Sequence, residues 1–158
     1  MLSLLTLAAR TRAEESAPTA PSSRAPIGLT LTVDLGGGGT VGGGSTGLFE
    51  GELTAGYELP YGFRPELSLL LGMSPGSYTG LRPGLHYALA DLPVYLRADL
   101  DWAYPHGVGK LRWLLIGAGA ELRFTGLFGI FGEADTGLPL TDGAGVPLEL
   151  RAGVSLRF

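Results

Sequence analysis

Two histidines, a dispersed set of carboxylates and arginines, and one glycine-dense run are the groups that could carry chemistry in this chain of 158 residues. His86 has acidic residues and serines near it in sequence. An imidazole beside a hydroxyl and a carboxylate is the apparatus of nucleophilic ester cleavage or acyl transfer, provided that the nucleophile is held against the imidazole. No serine stands with His86 in a recognisable motif of that kind, so a hydrogen-bonded interior role is expected for it and a solvated one for His106. The glycines at 36–39 and 42–44 have the density of a phosphate cradle, but the Lys-Ser/Thr ending and the helix that such a cradle needs are missing. They read as a mobile surface loop. Cysteine is absent, which excludes a disulfide framework and a thiolate metal site. No catalytic residue, metal site or cofactor is expected.

The ionisable residues say more through their spacing. Asp34, then Glu50, Glu52 and Glu58, Arg64 and Glu66, Arg82 and His86, Arg97, Asp99 and Asp101, Glu121 and Arg123, Glu133 and Asp135, and finally Glu149, Arg151 and Arg157 stand at alternate positions within eight runs. The residues between them are apolar, and the runs open at Ile27, Phe49, Phe63, Leu81, Val94, Leu114, Phe128 and Leu148. A period of two is the signature of strands with one apolar face. Each run is near the roughly 9–11 residues that a tilted strand needs to cross a bilayer, where soluble strands usually have about 5–6. Connections at 60–62, 90–93 and 125–127 read as tight turns, and those at 36–47, 74–79, 105–110 and 139–147 as longer loops. An even strand number with turns on one rim and loops on the other predicts an all-β, eight-stranded antiparallel up-and-down transmembrane β-barrel over residues 27–158.

The apolar faces carry no Asp, Glu, Lys, Arg or His, so the polar face must be the lumen. A soluble barrel with an apolar cavity would have the opposite polarity. Hydrocarbon demands that every backbone amide be paired internally, which predicts closure of the last strand on the first. Eight strands leave room only for side chains, and the inward charges are therefore expected to meet one another. The pairings expected are Glu52 or Glu58 with Arg64 and Arg82, Arg97 with Glu121, Arg123 with Asp99 or Glu133, and Asp34 with Arg151. Inward Gly56, Gly84, Gly117, Gly119 and Gly153 would leave local room for water. Tyr57, Phe63, Tyr87, Phe124, Phe128 and Phe158 fall at one end of the outer face, and Phe49, Trp102 and Tyr104 at the other, as two aromatic girdles.

Composition agrees with this reading. Glycine numbers 27 residues, charged residues make up 16% and mean hydropathy is +0.26, values too apolar for ordinary disorder. A net charge of −4 argues against nucleic acid as a partner. Residues 1–26 read as a signal-peptide-like apolar segment, from Leu2 to Ala9, followed by a flexible Ser/Ala/Pro leader.

The stretch from Ile27 to Phe158 resembles the small eight-stranded outer-membrane barrels of the OmpA, OmpX and OmpW type, and its end, Gly153-Val154-Ser155-Leu156-Arg157-Phe158, is similar to the terminal strand of that class. The resemblance implies a bacterial outer-membrane location, outer-membrane lipids as surroundings, and recognition of Val154, Leu156 and Phe158 by the barrel-assembly machinery. An extracellular partner is not implied. The leading expectation is a non-enzymatic protein with a salt-bridged lumen and a structural or surface-interaction role. A narrow channel or lateral-gate carrier for small apolar molecules comes second, with the gate placed between the third and fourth strands because Pro65 and Pro83 lie there. A lipid-modifying enzyme comes third.

Overall fold

The computed structural model describes residues 28–42, 46–90 and 92–158, so the leader expected over 1–26 lies outside the described residues. Eight strands follow one another: β1 (Gly28–Val41), β2 (Gly47–Glu58), β3 (Phe63–Ser74), β4 (Tyr78–Ala88), β5 (Val94–Pro105), β6 (Lys110–Arg123), β7 (Phe128–Pro139) and β8 (Val146–Arg157). Each pairs antiparallel with its sequence neighbours, and β8 pairs with β1 from Thr30↔Arg157 to Val41↔Val146, closing the barrel. Closure leaves no edge strand, which is the condition for a sheet to stand in hydrocarbon.

The strands run further toward the loop rim than the hydropathy pattern indicates. Connections there span three to six residues, against four to five on the turn rim, so the expected contrast between long loops and short turns is corrected. The glycine run accounts for much of the difference. Residues 36–39 are not a surface loop but part of β1, paired with β2 and β8 at once. A Cβ on Gly38 would collide with the Leu148 carbonyl, and one on Gly36 would stand 3.0 Å from the Arg151 side chain. Glycine is used here for close backbone approach, a use that hydropathy does not reveal.

Pairing between β3 and β4 is unbroken from Phe63↔Tyr87 to Gly72↔Tyr78, passing through Pro65↔Leu85 and Leu67↔Pro83. The lateral opening expected between these strands is therefore excluded. Each proline instead stands where pairing with its other neighbour lapses. The β2–β3 ladder stops at Gly56↔Glu66, and the β4–β5 ladder skips from Leu81↔Trp102 to Gly84↔Asp99. Across the second lapse the Arg82 guanidinium donates to Asp101 at 2.7 Å, joining the two strands through side chains.

Candidate functional site

Side-chain alternation splits the barrel into two surfaces. Leu29, Val33, Leu67, Leu85, Leu96, Ile116 and Leu150 lie exposed on the outside, while among the described residues ten carboxylates and five arginines are buried inside. That polarity is the reverse of a soluble protein's, and only a lipid environment covers such an exterior.

Inside, the carboxylates outnumber the arginines, so each arginine is shared. Arg82, fully buried on β4, lies 2.6 Å from Glu50, 3.1 Å from Glu52 and 2.7 Å from Asp101. Arg97 on β5 lies 2.5 Å from Glu52, 3.2 Å from Glu66, 2.9 Å from Asp99 and 3.2 Å from Glu133. Arg151 on β8 contacts Glu52 and Glu149 and lies 3.0 Å from Asp135 and 3.9 Å from Asp34. Glu52 thus joins three arginines from three strands. Toward the turn rim, Arg64 binds Glu58 at 3.0 Å and Glu66 at 2.5 Å, and Arg157 binds Glu58 at 2.6 Å and Glu121 at 2.7 Å. The ion pairs form an unbroken sequence from Arg123 at the turn rim, through Glu121, Arg157, Glu58, Arg64, Glu66, Arg97, Glu52, Arg82 and Glu50, to Arg112 near the loops.

Among the pairings expected from sequence, the structure places Glu58 beside Arg64, Glu52 beside Arg82 and Asp34 near Arg151. Two differ. Arg97 stands opposite Gly117 in the β5–β6 register, four residues from Glu121, and its ion pairs go to Glu52, Glu66, Asp99 and Glu133 instead. Arg123 stands opposite Gly129, far from the level of Asp99 and Glu133, and its partner is Glu121 at 3.6 Å in an exposed setting. The inward glycines, expected to leave room for water, are occupied by neighbours: the Asp99 carboxylate fills the place of a Cβ at Gly84, Asp135 that at Gly117, Asp34 that at Gly153, the Tyr95 ring that at Gly119, and Arg64 with Glu66 that at Gly56.

The loop end holds residues that sequence parity misplaces. Strict alternation with Leu114 and Ile116 would turn Arg112 outward. A β-bulge shifts the register between Asp101 and Trp102, where Asp101 faces Trp113 but Trp102 faces Leu111. Arg112 is the extra residue. It reaches Asp101 at 2.6 Å and Glu50 at 3.1 Å, and its guanidinium lies 4.5 Å from the Tyr78 ring centre and 4.3 Å from that of Trp113. Bulges re-aim side chains in this way. An arginine on an apolar parity was the one signal in the sequence that could have revealed it. Above this cluster Leu48, Trp113 and Leu115 pack together, and the Trp113 indole donates to the Gly145 carbonyl at 2.9 Å. Tyr78 donates to Glu50.

The turn end is more polar. A cavity of about 20 Å3 is lined by Thr32, Arg64, Glu66, His86, Tyr95, Arg97, Glu121, Phe131, Glu133 and Ser155. His86 and Ser155 thus border one space, but the Ser155 hydroxyl donates to Glu121 at 2.5 Å and neither imidazole nitrogen has a hydrogen-bond partner. No nucleophile–base pair exists there, and no acidic or histidine cluster among the described residues could hold a metal ion.

Outside at the turn end, Phe63 packs at a tilt against its cross-strand neighbour Tyr87, 4.7 Å between ring centres, and Phe124 stacks on Phe128 at 6.1 Å, with Tyr57 and Phe158 also exposed. Trp102 and Tyr104 stack at 5.9 Å at the loop end, where Phe49 is also exposed. The Phe158 amide donates to the Leu29 carbonyl at 2.9 Å, fastening the chain end to β1.

No family model and no curated protein matches the chain. Solved structures do. Neisserial surface protein A is 17% identical, with 82% of this chain and 97% of that chain aligned at a TM-score of 0.58. The N-terminal β-barrel domain of Pseudomonas aeruginosa OprF is 15% identical over 82% and 97%, at a TM-score of 0.60. A de novo designed transmembrane β-barrel is 16% identical over 84% and 97%, at 0.54. Likeness at this identity speaks for the fold, and it agrees with the inverted polarity and the sealed sheet: the chain has the fold of the small eight-stranded outer-membrane β-barrels.

Proposed function

We propose that this protein is a non-conducting, non-enzymatic barrel of the bacterial outer membrane, whose lumen is a salt-bridged plug and whose role is structural or surface-related. The observation that carries the reading is the run of ion pairs from Arg123 to Arg112, capped by Leu48, Trp113 and Leu115. Charges so paired are held in place, because removing one partner of a buried pair costs about 3–5 kcal/mol. Connections of three to six residues offer little surface for a large partner, which favours the structural role over an interaction through the loops. The start of β1 and the end of β8 share the turn rim, which in this proposal faces the periplasm. Outer-membrane lipids are the surroundings, and Val154, Leu156 and Phe158 are the segment offered to the assembly machinery. The test is conductance of the refolded full chain in planar bilayers. Absence of ion steps is expected, and steady single-channel currents would overturn the reading in favour of a narrow channel.

A further inference from the structure

His86 is the cross-strand neighbour of both Arg64 on β3 and Arg97 on β5, so three nitrogen-bearing side chains stand in one row on the lumen wall. The imidazole is 2% exposed and lies against the Tyr95 ring, 4.3 Å between centres. Both its nitrogens are without a hydrogen-bond partner, although the arginines on either side are engaged by carboxylates. Buried polar groups in folded proteins are nearly always satisfied, and where no side chain does so, ordered solvent does. The cavity that His86 borders measures about 20 Å3, above the roughly 10–15 Å3 that one water needs, and it offers the two to four polar partners that hold a water in place.

We propose that this cavity is a water-binding site seated on His86. The ligand class follows from the lining. An anion would meet Glu66, Glu121 and Glu133, and a cation would meet Arg64 and Arg97. A neutral molecule of one heavy atom that both donates and accepts fits all of them. Its route in is the turn rim, where Glu121 is half-buried and Arg123 exposed. The proposal goes beyond the absence of conductance, since a blind water site passes no current.

The test uses the full chain in lipid nanodiscs with nitrogen-15 histidine, in a His106→Asn background that leaves His86 as the sole histidine. Magnetisation transfer between the His86 ring N–H and a long-lived water is expected. A slowly exchanging ring N–H without such transfer overturns the site. Should the ring N–H exchange too fast to observe, His86→Phe decides the matter. With water seated on the imidazole, the apolar ring strands that water's remaining partners, and the unfolding midpoint falls by a few degrees. A dry seat gives the opposite result, because phenylalanine then removes two unmet nitrogens and the midpoint rises.

Discussion

The two ends of the lumen solve the same burial problem differently. At the loop end Glu50 and Asp101 are fully engaged, both Glu50 oxygens by Tyr78, Arg112 and Arg82 and both Asp101 oxygens by Arg82 and Arg112, while Glu149 keeps one oxygen without a hydrogen bond. An apolar layer of Leu48, Trp113 and Leu115 then closes the space above them. At the turn end Glu58 keeps one oxygen without a hydrogen bond, Arg157 two nitrogens, of which one is in an ion pair with Glu58, and His86 both of its nitrogens. Half-satisfied polar networks are costly in a low dielectric unless solvent completes them. The Glu50–Asp101 cluster is thus the locked part of the lumen, and under the water-site proposal the surroundings of His86 are the part that solvent completes.

Arg82→Met is the most severe way to break that contrast. The side chain is fully buried and its loss leaves Glu50, Glu52 and Asp101 short of a cation while removing the side-chain link across the β4–β5 lapse. A destabilisation of about 3–5 kcal/mol is expected, measured by urea unfolding from lipid vesicles with the tryptophans as reporters. Arg157→Met at the turn end should cost less, because water replaces part of what is lost. Equal losses would mean that the two ends do not differ in hydration. Trp113→Ala should cost roughly 3–5 kcal/mol as a large-to-small core change, yet leave the bilayer silent to current, because the ion pairs below the cap still fill the bore.

The barrel itself was legible in the alternation of Leu and Glu or Arg, since a period of two is imposed directly by the pleat. Strand ends were less so. Glycines 36–39 carry no hydropathy, and only the proximity of Leu148 and Arg151 explains why they extend β1. Arg112 was invisible to parity because a bulge breaks parity, and Tyr78 and Tyr95 because an inward aromatic needs a glycine beside it, here Gly72 and Gly119, which only the register identifies. The identity of lumen charges could be read, but not their partners: which arginine meets which acid depends on the levels set by strand register, as Arg97 and Arg123 illustrate.

Gly119→Val probes one such aromatic–glycine pair. Its side chain would occupy the space of the Tyr95 ring and press the Gly132 carbonyl at 2.7 Å. Overpacking of this kind costs about 1–3 kcal/mol, and the displaced Tyr95 should loosen its ring contact with His86, which is read as a changed chemical shift of the His86 ring protons. A shift unchanged at full destabilisation would place the strain in the backbone rather than in the aromatic pair.

The smallest effect is expected at Arg123. It ends the ion-pair sequence, yet its side chain is 37% exposed and its contact with Glu121 is 3.6 Å, longer than any other step in that sequence. An exposed pair at such a distance contributes about 0–1 kcal/mol, less in salt. Glu121 keeps Arg157 at 2.7 Å and the Ser155 hydroxyl at 2.5 Å after Arg123 is gone, so Arg123→Ala should shift the urea midpoint little at low salt and not at all at high salt. A loss comparable to that of Arg157→Met would show that the turn end is as dry as the loop end, for only in the absence of water would a rim arginine matter so much.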